Sequence, residues 1–255
     1  MPVFSVAKQA VARFLDRRHP AALIRYYLYT RGPKFEPELW LVPRLVNRTG
    51  VAVDVGGNAG VWSLQMARFA GKVHCFEPNP VCIRALERVL PRRVTLHRVA
   101  LSDKSGAAVL RFDPDNTGVG TIEVQNALAA NAGITSIEAV TVPTARLDEF
   151  AFRNVALIKI DVEGHEEAVL AGAEETLARE RPAVICEIEQ RHNPGGLERI
   201  RAFFAERGYR AGALDRGRLR DLGAIEADGN SPLAVAGGIY NFVFLHSEID
   251  ADLIH

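Results

Sequence analysis

Two short stretches of the chain concentrate groups that move protons or hold cations. The first carries Lys159, Asp161, Glu163 and His165; the second carries Glu187, Glu189 and His192. A carboxylate or imidazole within hydrogen-bond reach of a hydroxyl can take its proton. Gathered together, the oxygens of Asp161, Glu163, Glu187 and Glu189 would also suit a hard divalent cation such as magnesium. Lys159 and Asp161 lie two residues apart, so on a strand they share a face. Each group also has a plainer use. Lys159 can neutralise Asp161 or Glu187 in an apolar setting. His165 can cap a following helix, and His192, beside Pro194, Gly195 and Gly196, can be an exposed loop residue. Glu166 and Glu167 suit the electropositive first turn of a helix. His165-Glu166 opens like a zinc-protease H-E-x-x-H, but Val169 stands where the second histidine belongs.

A second constellation would bind rather than react. The run VDVGGNAG at 53–60 ends an apolar stretch and opens a helical one. Its small residues let backbone approach a ligand, and a helix N-terminus offers free N–H groups. Counted from Gly56, the dinucleotide fingerprint requires glycine at 58 and 61, where Asn58 and Val61 stand. A nicotinamide enzyme is disfavoured, and no G-x-x-x-x-G-K-[ST] run exists for an ATPase loop. Glu77 follows Asp54 by 23 residues and ends the next apolar run. In an open α/β sheet, ligands sit beyond the carboxyl ends of strands, where a carboxylate can accept both hydroxyls of a ribose.

These groups need strands to carry them. Apolar runs at 51–55, 73–76, 94–99, 155–160, 183–188, 209–211 and 239–245 read as strands. They alternate with helical patterns at 59–70, 80–90, 166–179 and 197–207. That alternation indicates a doubly wound, mostly parallel sheet. Two stretches exceed a simple crossover. Residues 100–155 contain an expected hairpin, 108–112 with 137–142, and 211–239 form a long irregular segment.

The chain has 255 residues, 48% hydrophobic and 24% charged, enough for a sizeable core and inconsistent with disorder, collagen or coiled coil. Lys+Arg and Asp+Glu are both 31, a balance that weighs against nucleic-acid partners. Cys75, Cys82 and Cys186 form no close pair and read as reduced thiols of a cytoplasmic protein. Residues 1–34 look helical and basic, with seven cations against Asp16. We expect residues 1–48 to form an N-terminal helical segment and 49–255 the main domain. The basic segment is expected to pack on the fold or on a second subunit, giving no stable membrane anchor. It lacks the continuous apolar block of a signal peptide.

The runs DVGGNAG at 54–60, FEP at 76–78, VALSD at 99–103 and LIKIDVEG at 157–164 resemble the FkbM-type S-adenosylmethionine-dependent methyltransferases, as do LAGA at 170–173 and the strand carrying Glu187. The resemblance covers about residues 50–190. It implies a class I methyltransferase fold, a Rossmann-like α/β architecture with a seven-stranded sheet whose last strand is antiparallel. It implies S-adenosylmethionine as cofactor and a hydroxyl of a sugar, glycan or related natural product as acceptor. Gly56, Asn58 and Gly60 would hold the methionine end, Asp54 would orient the loop, and Ser63 would help bind the carboxylate. Glu77 would bind ribose, while Ala100, Leu101 and Asp103 frame the adenine. Residues 116–121 resemble a loop that closes over the cofactor. Asp161, Glu163, Glu187, His192, Lys159 and His165 would converge above the reactive methyl. Gly57 departs from the family's usual Ala, and Arg146 departs from its common Thr-Leu-Asp. The competing readings are a non-catalytic cofactor-binding module acting through a partner and, less favoured, a nicotinamide oxidoreductase.

Overall fold

The computed structural model describes residues 36–114, 120–123, 136–190, 192–215, 217–228 and 241–249. The basic segment 1–34, most of the loop 116–121 and the run around Gly229 lie outside the described residues. In chain order, a 3-10 turn at Pro37–Trp40 leads into α1 (Val42–Leu45), β1 (Val51–Val55), α2 (Val61–Phe69), β2 (Lys72–Phe76), α3 (Pro80–Val89) and β3 (Val94–His97). There follow β4 (Ala100–Leu101), β5 (Gly106–Phe112), β6 (Gly120–Thr121) and β7 (Glu138–Ala145), then a 3-10 turn at Leu147–Phe150. The second half runs β8 (Val155–Ile160), α4 (Glu166–Ala171), α5 (Glu174–Glu180), β9 (Ala183–Glu187), α6 (Gly196–Ala205), β10 (Tyr209–Asp215), β11 (Arg218–Asp221), α7 (Leu222–Ala227) and β12 (Asn241–His246).

The main sheet has the order β11-β10-β12-β9-β8-β1-β2-β3. β1, β2, β3, β8 and β9 pair in parallel, and β12 runs antiparallel to both β9 and β10. The last strand is therefore antiparallel, as expected. The sheet has an eighth strand beyond the seven expected. β10 continues to Asp215, and Arg218–Asp221 folds back on it inside the stretch read as irregular. The helical pattern at 166–179 is two helices. A Cβ on Gly172 would lie 2.0 Å from the Ser102 carbonyl oxygen, so a tertiary contact sits at the break.

Strand alternation sends side chains to two cores. Ala52, Leu157, Ile185 and Val243 face α1, α2 and α3 through Val42, Trp62, Met66 and Leu86. Val53, Val55, Ile158, Ile160 and Phe244 face α4 to α7 through Val169, Leu177, Ile200, Phe204 and Ile225. Phe204 stacks on Phe244 at 4.1 Å; truncating such a ring to Ala typically costs about 3–5 kcal/mol. Residues 36–46 share the first core, and Gln65 donates to the Leu39 carbonyl at 3.0 Å. The expected pairing in 100–155 is present between β5 and β7, within a separate four-stranded sheet of order β4-β7-β5-β6. Among the described residues, no helix is long and apolar enough to cross a membrane.

Candidate functional site

The chain leaves β1 toward β2 on one side and later returns to β8 on the other. This reversal opens a crevice at the carboxyl ends of β1 and β8. A pocket of about 680 Å³, partly open to solvent, lies there. Its floor is Val55, Gly56, Asn58 and Asp161, and one flank is Phe76, Glu77 and Pro78. Val99, Ala100, Leu101, Leu110 and Ile122 make an apolar slot.

Glu77 is buried, and its two carboxylate oxygens accept the Asn58 and Asn79 amides, each at 2.7 Å. Burial pushes its pKa up to about 7 even against those two bonds. A carboxylate has about four acceptor positions, so capacity for two ligand hydroxyls remains. Asn79 also caps α3, its side chain accepting the Val81 amide at 2.9 Å. The turn that presents Asn58 depends on glycine, since Gly56 and Gly60 both have φ of +84°. The Gly57 departure has a local cause: an added Cβ would lie 2.2 Å from the Cys75 sulfur.

Some expected binding residues lie elsewhere. The Ser63 hydroxyl is buried and donates to Asp54 at 2.6 Å, so its proton is not available to a cofactor carboxylate. Asp54 is itself buried beneath the turn, and burial raises its pKa to about 7. Through Ser63 it ties the end of β1 to α2. Asp103 is exposed, accepts the Ser102 hydroxyl at 3.0 Å and does not line the pocket. The expected free amides of the turn are largely engaged. Those of Gly56 and Gly57 donate to the Phe76 carbonyl, Asn58 to Glu77 and Gly60 to the Gly57 carbonyl. Arg146 pairs with Asp148 at 3.0 Å, and Asp148 accepts the Thr176 amide and hydroxyl at 2.8 Å. That turn therefore fastens α5.

At the other end of the crevice, Asp161 and Glu163 also line a smaller recess of about 180 Å³ with Gly164, Glu166, Glu187, Glu189 and His192. Lys159 is fully buried beneath it, 4.0 Å from Asp161 and 3.8 Å from Glu187, and donates to the Ile160 carbonyl. Burial opposes its charge, but Asp161, Glu187 and Glu36 outweigh that and raise its pKa. Lys159 thus compensates charge and does not reach the pocket. Burial, then the neighbouring Asp161 charge, pushes Glu187 up to about 8. His192 is not an exposed loop residue. Its side chain is 4% exposed, with Nε2 3.0 Å from Glu163 and 3.4 Å from Glu189. The expected four-carboxylate cation set is therefore regrouped: Asp161 and Glu187 flank Lys159, while Glu163 and Glu189 flank His192.

His165 lines the main pocket, but its Nδ1 faces the Glu123 carboxylate and its Nε2 meets the Ser102 hydroxyl at 2.9 Å. It makes no side-chain cap on α4. With both ring nitrogens engaged, it ties the small sheet to the pocket and is poorly placed as a base. Thr121 adds a second tie, donating to the Glu163 carbonyl at 3.0 Å. Sequence reasoning missed Glu123 and did not single out Thr121, because their partners lie 42 residues away along the chain.

Residues 54–211 match the methyltransferase FkbM domain. A 2-O-methyltransferase NoeI from Sinorhizobium fredii is 31% identical over 148 residues, 51% of this chain and 60% of that protein. A 31-O-demethyl-FK506 methyltransferase FkbM from Streptomyces tacrolimicus is 33% identical over 155 residues, 49% of this chain and 60% of its own. The match thus spans about 60% of the length of these relatives. The crystal structure of an FkbM methyltransferase from Methylobacillus flagellatus superposes with a TM-score of 0.52 at 15% identity, covering 94% of this chain and 59% of that one. At that identity the likeness speaks for the fold. The eight-stranded doubly wound sheet, the crevice at its switch point and a family match over more than half of the residues agree: the chain belongs to the FkbM methyltransferase family.

Proposed function

We propose that the chain is an S-adenosylmethionine-dependent O-methyltransferase acting on a hydroxyl of a sugar, glycan or related natural product. The observation that carries this reading is the continuity of the crevice from Glu77 at one end to Asp161 and Glu163 at the other. The residues fit such a cofactor. Glu77 is a buried acceptor matched to a pair of ribose hydroxyls, and the slot at Ala100 and Leu101 matches a flat base. Gly56, Asn58 and Gly60 shape the turn beside the methionine end, where the acidic residues suit its positive charges. When bound, the cofactor supplies an electrophilic methyl group on a sulfonium.

The chain's own task is to hold the acceptor in line and receive its proton. Alignment alone can supply much of the acceleration. Asp161, on the floor between pocket and recess, is the carboxylate we assign to the proton, with Glu187 behind it. The names of the two relatives point to oxygen as the methylated atom, which supports the hydroxyl assignment here.

Titration calorimetry with S-adenosylhomocysteine tests the reading. The wild-type chain binds it, and Glu77→Ala, checked as folded by circular dichroism, binds at least about tenfold more weakly, since a hydrogen bond to a charged group contributes about 1.5–3 kcal/mol. Equal affinity in the two proteins would sink the assignment.

A further inference from the structure

We propose that Glu163, Glu189 and His192 bind a divalent first-row transition-metal ion. One carboxylate oxygen from each glutamate and a ring nitrogen of His192 lie within 4.8 Å of one another. The individual spacings, 3.0 Å and 3.4 Å from Nε2, are informative. Ligands at about 2.1 Å from an ion stand about 3.0 Å apart at octahedral right angles and about 3.4 Å apart at tetrahedral angles. Each glutamate therefore stands from His192 at a spacing that a shared ion could bridge.

Two loops bring the donors together. Glu163 sits in the loop after β8, with a left-handed φ of 51°. Glu189 and His192 belong to the turn after β9, where the His192 and Asn193 amides both donate to the Glu189 carbonyl. The two loops touch at Gly164: a Cβ there would lie 3.0 Å from the His192 carbonyl oxygen, so the bare backbone allows the approach. The surroundings are rich in carboxyl groups. Asp161, Glu163, Glu166, Glu187 and Glu189 line the recess, against the buried Lys159 beneath it and His192.

The donor set selects the class of ion. Magnesium prefers oxygen ligands alone and retains water, whereas imidazole nitrogen with carboxylates suits manganese, iron or zinc. This replaces the all-oxygen magnesium set that the sequence suggests. The position gives the ion a use that rests on the methyl-transfer reading. Asp161 and Glu163 line both the recess and the cofactor pocket. An ion held there would acidify an acceptor hydroxyl, with Asp161 placed to receive the proton. Glu163, Glu189 and His192 then fix the acceptor, while Glu77 fixes the cofactor.

The test uses the full chain, stripped with chelator and dialysed, and three probes: Mn²⁺, Zn²⁺ and Mg²⁺. Calorimetry should show one equivalent of Mn²⁺ and of Zn²⁺ bound, each at least about tenfold tighter than Mg²⁺, as expected for a site with a nitrogen ligand. Glu189→Gln and His192→Ala should each weaken Mn²⁺ binding at least about tenfold while keeping S-adenosylhomocysteine affinity, which reports an intact fold. No stoichiometric binding by the wild type would overturn the proposal and leave the trio as an imidazolium paired with two carboxylates. Binding unmoved by both substitutions, or a preference for Mg²⁺, would overturn it too. Failure of the methyltransferase reading looks different: S-adenosylhomocysteine would not bind, while the Mn²⁺ site persisted.

Discussion

The two ends of the crevice are built from the same material, carboxylates at strand ends, yet they are held by different means. At the β1–β2 end, Glu77 is gripped by two backbone amides. At the β8–β9 end, Asp161 and Glu187 are balanced by the side chain of Lys159 at about ion-pair distance, and Glu163 and Glu189 by His192. Backbone donors are fixed by the fold and carry no titrating proton. Side-chain partners can exchange protons or give way to a cation. The first arrangement suits recognition of one invariant ligand, and the second suits chemistry.

Removing the proposed proton acceptor should separate the ends most sharply. Asp161→Asn keeps the shape and deletes the charge. Turnover on the true acceptor should fall about 100- to 10,000-fold, the range for loss of general-base catalysis. Affinity for S-adenosylhomocysteine should change far less. Single-turnover assays and calorimetry on the same preparation check this; near-normal turnover would mean that alignment alone carries the reaction.

Lys159→Met should damage the fold rather than the chemistry alone. Lys159 is fully buried but its partners Asp161 and Glu187 are partly exposed, so the loss should stay below the figure of about 3–5 kcal/mol for a wholly buried pair. Urea unfolding reads this as a lower midpoint with an unchanged slope. A loss below about 1 kcal/mol would show that the carboxylates are balanced without the lysine.

The cofactor end should reveal itself through pH, with a smaller effect. Burial raises Glu77 to about 7 in the free protein, whereas hydroxyl donors favour its ionised form. S-adenosylhomocysteine affinity should therefore rise with pH up to about 7 and level off above it, by at most about tenfold per unit. Glu77→Gln should flatten the profile. Stability of the free protein runs the other way. A buried acid with a raised pKa contributes stability that is present below its ordinary value of 4.5 and is lost as pH rises through about 7. Calorimetric titrations from pH 5.5 to 8.5 decide the first point, and denaturation over the same range the second.

Much of this was legible from the chain. Apolar runs bounded by glycine and proline gave the strands, because a parallel strand buried on both faces leaves little room for polar residues. Glu77 stood out because a carboxylate directly after such a run has no core role. What escaped prediction depends on contacts distant in sequence. The break between α4 and α5 falls where the Ser102 carbonyl packs against Gly172. Ser63 reads as a cofactor donor until its Asp54 partner is seen. His192 looks exposed beside its glycines until the loop after β8 closes over it. No local pattern could show that the Glu123 carboxylate would reach His165.

The packing of Gly57 against Cys75 makes these two positions a single unit of variation. A methyl at 57 and a sulfur at 75 compete for one volume, so the effect of either substitution depends on the other, as expected for residues in contact. A lineage carrying Cys75 is constrained to glycine at 57 until 75 becomes smaller. Once it does, alanine at 57 fills the vacated space. The order of the two changes therefore matters: shrinking position 75 first opens a path that enlarging position 57 first would close.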